Sequence, residues 1–497
     1  MTKDIDLTSL SREHTEWVYN ALDSAITYEV WDKVHRKLNP RTKRTYDFAR
    51  ALQGPAMEMM WRGIRVDLHE RKILHAEIME IKTKLEARLD QMALALWDKP
   101  LNARSPKQLA EFFYEFLRLP KSYKRGSKSP TTDENALLKL ESYFLAGPFC
   151  RHILEIRQLG KLADSFSKTL DNGRAMTRIN VAGTETGRFS SSESVWGTGT
   201  NMQNQTERTR RIYLPDPGKK FAYIDLEQAE SRAVGIICAV LGFGDAYLNA
   251  CSSGDLHTTV TRMVWPEREW TGELAHDKGL AEQVFYRHFS YRDMAKRGGH
   301  GTNYYGKAPT MAKHLKVETA LVAGFQKQYF AAFPEINLWH QYVADQLQTT
   351  GRITSIMGRE RKFLGRVYDD ATLREAIAYD PQSSIGDYMN LGMLYVHHEV
   401  PEVDILLQVH DAILIQYPEE DEAVLLPRVT EQLLRPRLGT PELNIVIPNE
   451  VQVGWNWSKV DKKKKFFSDG NPYGLEKWNG VDERKYQEPS ILDRRIR

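Results

Sequence analysis

Apolar residues recur at spacings of three to five across residues 70–97: Ile73, Ile78, Ile81, Leu85, Leu89, Met92 and Leu96. This spacing predicts one long amphipathic helix. Before it, EMMWRGIRVDLHER reads as a helix, a turn at Gly63 and a short strand. After it, LNARSPKQLAEFFYEFL predicts another helix, with Ser105 as N-cap and Pro106 at the first helical position. The first 50 residues are polar and mostly helical in pattern. KSYKRGSKSPTTDEN is basic and rich in turn formers, which predicts an exposed loop, with Thr132 or Asp133 capping the next helix. In FAYIDLEQAESRAVGIICAVLG a strand runs directly into a helix. Residues 245–335 are helix-rich, interrupted by an insertion-like stretch around Pro266–Gly279. DILLQVHDAILIQYP places two β-branched, apolar segments around His410–Asp411, the pattern of a hairpin. Helices, strand, helices and hairpin without regular βαβ alternation predict an α+β protein.

Composition narrows the class only coarsely. At roughly 100–200 residues per domain, 497 residues make three or four structural units. Cys150, Cys238 and Cys251 are odd in number and lack CxxC spacing, which argues against a disulfide framework and a zinc site. The N-terminus has no apolar h-region, and the longest apolar run, about Ala233 to Phe243, is too short to span a bilayer. The expectation is a soluble, cytoplasmic protein with no membrane partner. A net charge of +3 decides little; local clusters such as Lys462–Lys465 and Lys121, Lys124, Arg125 and Lys128 matter more, as nucleic-acid contacts or as solvated surface.

Two aspartates stand at the ends of apolar strands: Asp225 after FAYI and Asp411 after ILLQVH. Carboxylates so placed are costly unless compensated. Divalent cations such as Mg²⁺ are one compensation, and a pair of them serves phosphoryl transfer; on spacing alone, capping or turn roles explain such residues equally. Arg292, Lys296, His300 and Tyr304 recur every four residues in YRDMAKRGGHGTNYYG and share one helix face. Two cations one turn apart can hold a triphosphate, although a solvated basic face has the same spacing. Gly298, Gly299 and Gly301 are poor helix formers, and are read as marking close approach by a ligand or another backbone.

Together these segments resemble the family A DNA polymerases, the bacterial polymerase I type. DLEQAES resembles motif A, the Arg292–Lys296–Tyr304 spacing motif B and QVHDAIL motif C. TGR…NMQNQ, SPKQL, TTDEN and IAYDPQSSIGDYM are similar to further family segments, so the resemblance covers roughly residues 50–460. It implies a right-hand fold with an antiparallel palm sheet: residues 1–55 a helical remnant resembling the end of a 3′–5′ exonuclease domain, 56–168 thumb, 169–245 and 340–460 palm, 246–339 fingers, and 461–497 a basic tail. It implies that Asp225 and Asp411, with the Leu226 carbonyl, bind two Mg²⁺ ions. Arg292, Lys296 and His257 would hold the triphosphate, Lys296 as candidate general acid. Gln228, His300 and Tyr304 would adjoin the nucleotide, and Glu230 would exclude a 2′-hydroxyl by clash. Arg188, Asn201, Gln203, Arg374, Gln382, Gln408 and His410 would face the primer–template, and Arg157 and Lys161 its phosphates. The implied partners are primer–template DNA and dNTPs.

The chain departs from the family pattern in places. His300 replaces a Phe or Tyr, Ala412 a motif C carboxylate, and Ala378 a common Asn; the segment between Arg188 and Asn201 is longer than usual. WVYNALDSAITYE, with Tyr19 and Asp23, resembles only the last helix of the exonuclease domain, and one carboxylate makes no two-metal hydrolytic site. The expectation is therefore a phage-like polymerase without proofreading in this chain, with a separate exonuclease or processivity subunit as a further partner. The rival readings are a single-subunit RNA polymerase, disfavoured by Glu230, and a DNA-binding paralogue without catalysis.

Overall fold

The computed structural model describes residues 11–124, 128–165, 172–194, 197–287, 289–460 and 473–480. Arg125 and Lys462–Lys465 lie outside the described residues. At the centre is an antiparallel sheet of β1 (Lys219–Leu226), β2 (Asp404–Val409), β3 (Ala412–Pro418), β4 (Asn449–Gly454) and β5 (Glu476–Lys477), in the order β2–β3–β1–β4–β5. Seven helices frame it: α1 (Leu68–Trp97), α2 (Gly147–Ser165), α3 (Ala229–Val240), α4 (Leu256–Val264), α5 (Leu274–Ala281), α6 (Tyr291–Asn303) and α7 (Asp370–Glu399).

The strands are apolar at nearly every position because both faces of the sheet are covered. Ala222, Ile224, Ile413, Ile415 and Val453 pack with Ala233 and Ile236 of α3 and with Ile385, Met389 and Met393 of α7. Phe221, Leu414, Leu407 and Val409 pack on the other side with Leu74 and Ile78 of α1. Each fully buried side chain of this kind contributes roughly 1.5–3 kcal/mol, so the register of β1 against β3 is firmly set. One charged pair lies inside: the Lys220 ammonium donates to Glu422 at 2.7 Å, and the Tyr417 hydroxyl donates to the same oxygen at 2.8 Å.

The long helix is present, but its buried face is Leu74, Ile78, Leu89 and Ala93, while Ile73 and Leu96 are exposed. The irregular spacings expected at residues 70–97 blurred which stripe turns inward. Ser105 caps its helix with Pro106 following, and of the two proposed caps it is Asp133 that accepts from the Ala136 amide at 3.0 Å. The polar N-terminal stretch forms helices Arg12–His35 and Pro40–Ala51, neither of which has a buried residue. No helix among the described residues is long and apolar enough to cross a membrane.

Candidate active site

β1 and β3 are hydrogen-bonded neighbours, and Asp225 pairs with Ala412, the residue after Asp411. The Leu226 amide donates to the Asp411 carbonyl at 3.1 Å. Two motifs nearly two hundred positions apart are thus joined at one end of the sheet. Backbone strain aims them: His410, first in the turn between β2 and β3, has φ 56°, and Gln228, preceding α3, has φ 52°. Left-handed non-glycine residues of this kind gather where surrounding structure enforces them.

The acidic end is electrostatically incomplete. Solvent reaches Asp225 from the cleft, yet surrounding protein, the Asp411 charge and Glu450 push its pKa up to about 6. Burial also raises Asp411, with Glu230 adding to the rise and Arg188 opposing it. Arg188 Nη2 bridges Asp411 Oδ1 at 2.9 Å and Glu230 Oε1 at 2.8 Å. Burial alone would depress that guanidinium's pKa, but the two carboxylates raise it. The Tyr304 hydroxyl donates to Glu230 Oε2 at 2.7 Å, so Glu230 is held from both sides.

A cleft of about 550 Å³ opens beside Gln228, lined by Gly254, Asp255, His257, Leu274, Ala275, Lys278 and Arg292. Asp255 caps α4 by accepting from the His257 and Thr258 amides, and it also takes Arg292 Nη2 at 3.1 and 3.0 Å. Arg292 is therefore held by a carboxylate. His257 is lowered to about 4 by burial and then by the Arg292 and Lys296 charges, so it is neutral at pH 7. Lys296 and His300 lie exposed on α6, while Tyr304 stands just beyond the helix end. The α6 glycines have a different cause from the one expected. A Cβ on Gly298 would come 2.7 Å from Phe325 Cε1, on Gly299 3.2 Å from Tyr329, and on Gly301 2.7 Å from Met311 Cε. Protein side chains fill the space that had been assigned to a ligand or another backbone.

On the DNA-facing side the expected residues form a connected group. Asn201 Oδ1 accepts from the Gln203 amide at 3.0 Å and from the Ser191 hydroxyl at 2.7 Å. Gln203 Nε2 donates to the Gln408 carbonyl at 3.0 Å, and Gln408, buried, donates to the His410 carbonyl. Arg374, Ala378, Gln382 and Gly386 recur every four residues on α7, and a Cβ on Gly386 would meet Arg188 Cγ at 3.1 Å. Further away, Arg157 donates to the Ala103 and Thr132 carbonyls, both at 2.8 Å. It ties two loops together on the wall of a cleft of about 1050 Å³ that Arg104, Lys124 and exposed Lys161 also line.

Three groups escaped sequence reasoning. Asp255 sits within GDLHTT and carried a signal, an Asx residue before a helix. Glu450, the β4 partner of Asp225, and Lys278 gave none, because strand pairing and chain return are not written in local spacing. Among the described residues no group of three or more His, Cys, Asp or Glu side chains is arranged to hold a metal ion; the candidate ligands are the pair Asp225 and Asp411.

Comparison with known proteins agrees with this geometry. DNA polymerase I, thermostable, of Thermus aquaticus is 26% identical over 432 residues, covering 82% of this chain and 47% of that protein. DNA polymerase I of Geobacillus stearothermophilus is 25% identical over 443 residues, covering 83% and 46%. The chain thus spans about half the length of the relatives it matches. Among solved structures, the POL domain of Pol1 from M. smegmatis, in complex with DNA primer-template and dNTP, superposes with a TM-score of 0.65 at 25% identity, covering 82% of this chain and 70% of that one. The architecture is that of the right-hand polymerases, with the antiparallel sheet as palm. Residues 71–459 match the profile of DNA polymerase family A, and the chain belongs to that family.

Proposed function

We propose that this chain is a template-directed DNA polymerase that adds deoxynucleotides to a primer 3′ end, in phage DNA replication, in the cytoplasm of a bacterium or its infected host. The observation that carries the reading is the meeting of Asp225 and Asp411 at adjoining strand ends, beside a cleft bearing His257, Arg292 and Gln228. The residues fit divalent cations: a carboxylate pushed up to about 6 beside a second one is a site that lacks positive charge. Asp225, Asp411 and the Leu226 carbonyl would hold two Mg²⁺ ions. When bound, these ions favour the deprotonated primer 3′-hydroxyl and stabilise charge on the departing pyrophosphate.

The chain's own groups do the rest. Arg292 and Lys296 hold the triphosphate, and Lys296 gives a proton to the pyrophosphate oxygen as the bond to the α-phosphorus breaks. His257, neutral, adds a hydrogen bond. Glu230, fixed by Arg188 and Tyr304, fills the space a 2′-hydroxyl would need. Arg188 releases Asp411 and turns to the minor groove beside Asn201, Gln203, Gln382, Gln408 and His410, while Arg374, Lys161 and the loop pinned by Arg157 follow the template and backbone. Residues 56–168 act as thumb and 246–339 as fingers.

Primer extension with Asp225→Asn and Asp411→Asn is the test. Extension should vanish while primer–template binding stays nearly unchanged; extension by either variant defeats the metal assignment. Efficient use of rNTPs by the wild type would favour the RNA polymerase reading, and Glu230→Ala should admit them. We also propose that this chain leaves a mismatched 3′ end intact and depends on a separate exonuclease. Degradation of such a primer by the purified chain would contradict that.

A further inference from the structure

The insertion-like stretch around Pro266–Gly279 folds back onto the nucleotide cleft and is pinned there. Asp277, fully buried, accepts from the Thr271 amide and hydroxyl at 2.9 Å each and from the Gly272 amide at 3.0 Å, and it lies 3.3 Å from Arg262 Nε of α4. At the other end, the Arg268 guanidinium stacks 4.0 Å over the Tyr291 ring at the start of α6, and Trp270 Nε1 donates to the Trp265 carbonyl at 2.7 Å. The stretch is therefore tied to both helices that carry the expected triphosphate ligands. The residue after the anchor, Lys278 of α5, lines the same cleft as Gln228, His257 and Arg292. Its side chain is exposed and, among the described residues, has no hydrogen-bond or ion-pair partner. Arg292, by contrast, is already compensated by Asp255, and His257 is neutral at pH 7. A triphosphate carries more negative charge than those groups and Lys296 can balance.

We propose that Lys278 is a further nucleotide-binding residue that contacts the terminal phosphate of the incoming nucleoside triphosphate, making the Pro266–Gly279 stretch a selector for triphosphates over diphosphates. This rests on the reading of the cleft as the triphosphate site. The cleft begins at Gln228, beside the carboxylates where the α-phosphate reacts, so a cation on α5, outside α4 and α6, is placed for the far end of the chain of phosphates. Steady-state extension by the full chain, with Lys278→Ala, Lys278→Arg and Arg292→Ala, tests it, with a thermal melt confirming that each variant folds. Lys278→Ala should raise the dNTP KM about five- to tenfold with kcat changed less than about twofold, as expected for one lost charge-assisted contact. Lys278→Arg should restore most of the KM. The inhibition constant of the matching dNDP should be the same in wild type and Lys278→Ala. An unchanged dNTP KM in Lys278→Ala, with Arg292→Ala impaired, overturns the proposal and leaves the cleft reading standing. A normal KM in Arg292→Ala overturns the cleft reading itself. Equal weakening of dNTP and dNDP in Lys278→Ala shows mere long-range attraction and also overturns the terminal-phosphate contact.

Discussion

Arg188 lies 42 positions from Glu230 and 223 from Asp411, and it binds both through one nitrogen. Motif spacing singled out all three residues and gave Arg188 a DNA-facing role, but nothing local in the sequence announces that it neutralises the carboxylates first. Asp225 has no such partner, and the consequence can be measured. Its pKa is raised by burial and by Asp411 to about 6, above the ordinary carboxylate value near 3.9. A raised folded-state pKa means that the folded chain binds this proton more tightly than the unfolded chain does. The carboxylate's destabilising contribution therefore develops as pH rises from about 4 and is complete above about 6. In EDTA, Asp225→Asn should gain melting temperature over wild type at pH 7 and lose that advantage at pH 4.5; Mg²⁺ should close the gap at pH 7. Parallel melting curves at both pH values would refute this. Protons and cations compete for the same oxygens, so the Mg²⁺ concentration for half-maximal extension should also rise as pH falls below 6.

At the scale of elements, period was the reliable guide and facing was not. The strand-to-helix change at Asp225 and the hairpin at His410–Asp411 were legible because β1, β2 and β3 are apolar on both faces. In α1 the apolar residues occur on more than one stripe, so the buried one, through Leu74 and Ala93, could not be chosen without its neighbours. The α6 glycines were noticed but assigned the wrong neighbour, since Phe325 and Tyr329 arrive from a later helix. Two substitutions separate the packing causes. Gly298→Ala places a methyl 2.7 Å from a ring carbon of buried Phe325 and should cost about 1–3 kcal/mol. Gly301→Ala meets only the flexible end of Met311 and should cost less than about 1 kcal/mol. Urea denaturation of both variants checks the order; equal costs would refute it. Beneath the sheet, Lys220→Ala leaves Glu422 buried with only the Tyr417 hydroxyl and should cost about 3–5 kcal/mol by the same measurement.

The whole molecule is built from cores that meet only in part, and this division bears on how one end can fail without the other. The palm sheet is packed on both faces. A second core, containing Met294, Phe325, Tyr329 and Trp339, holds α6. A third joins the far half of α1, Leu89 and Ala93, to Phe112, Phe113, Phe149 and Ile153. The sequence foretold the helices of that third core but not its centre, because Phe112 sits in an irregular turn of helix, Glu111–Phe116, where ordinary helical periodicity gives no facing. Phe112 is fully buried, with ring centroids 4.7 Å from Phe149, 5.1 Å from Phe113 and 5.4 Å from Trp97. The same region carries the cleft lined by Arg104, Lys124, Arg157 and Lys161. Removing the ring should therefore loosen DNA binding through a region that never touches the nucleotide. Phe112→Ala should cost about 3–5 kcal/mol of local stability. Amide hydrogen exchange should speed up across residues 89–156 while protection in β1, β3 and α6 is retained, because local opening follows the boundaries of a core. Primer–template Kd should rise with the dNTP KM unchanged at saturating DNA. Uniform loss of protection through the palm would show instead that the cores unfold as one unit, and the link between this region and DNA affinity would then have no separate basis.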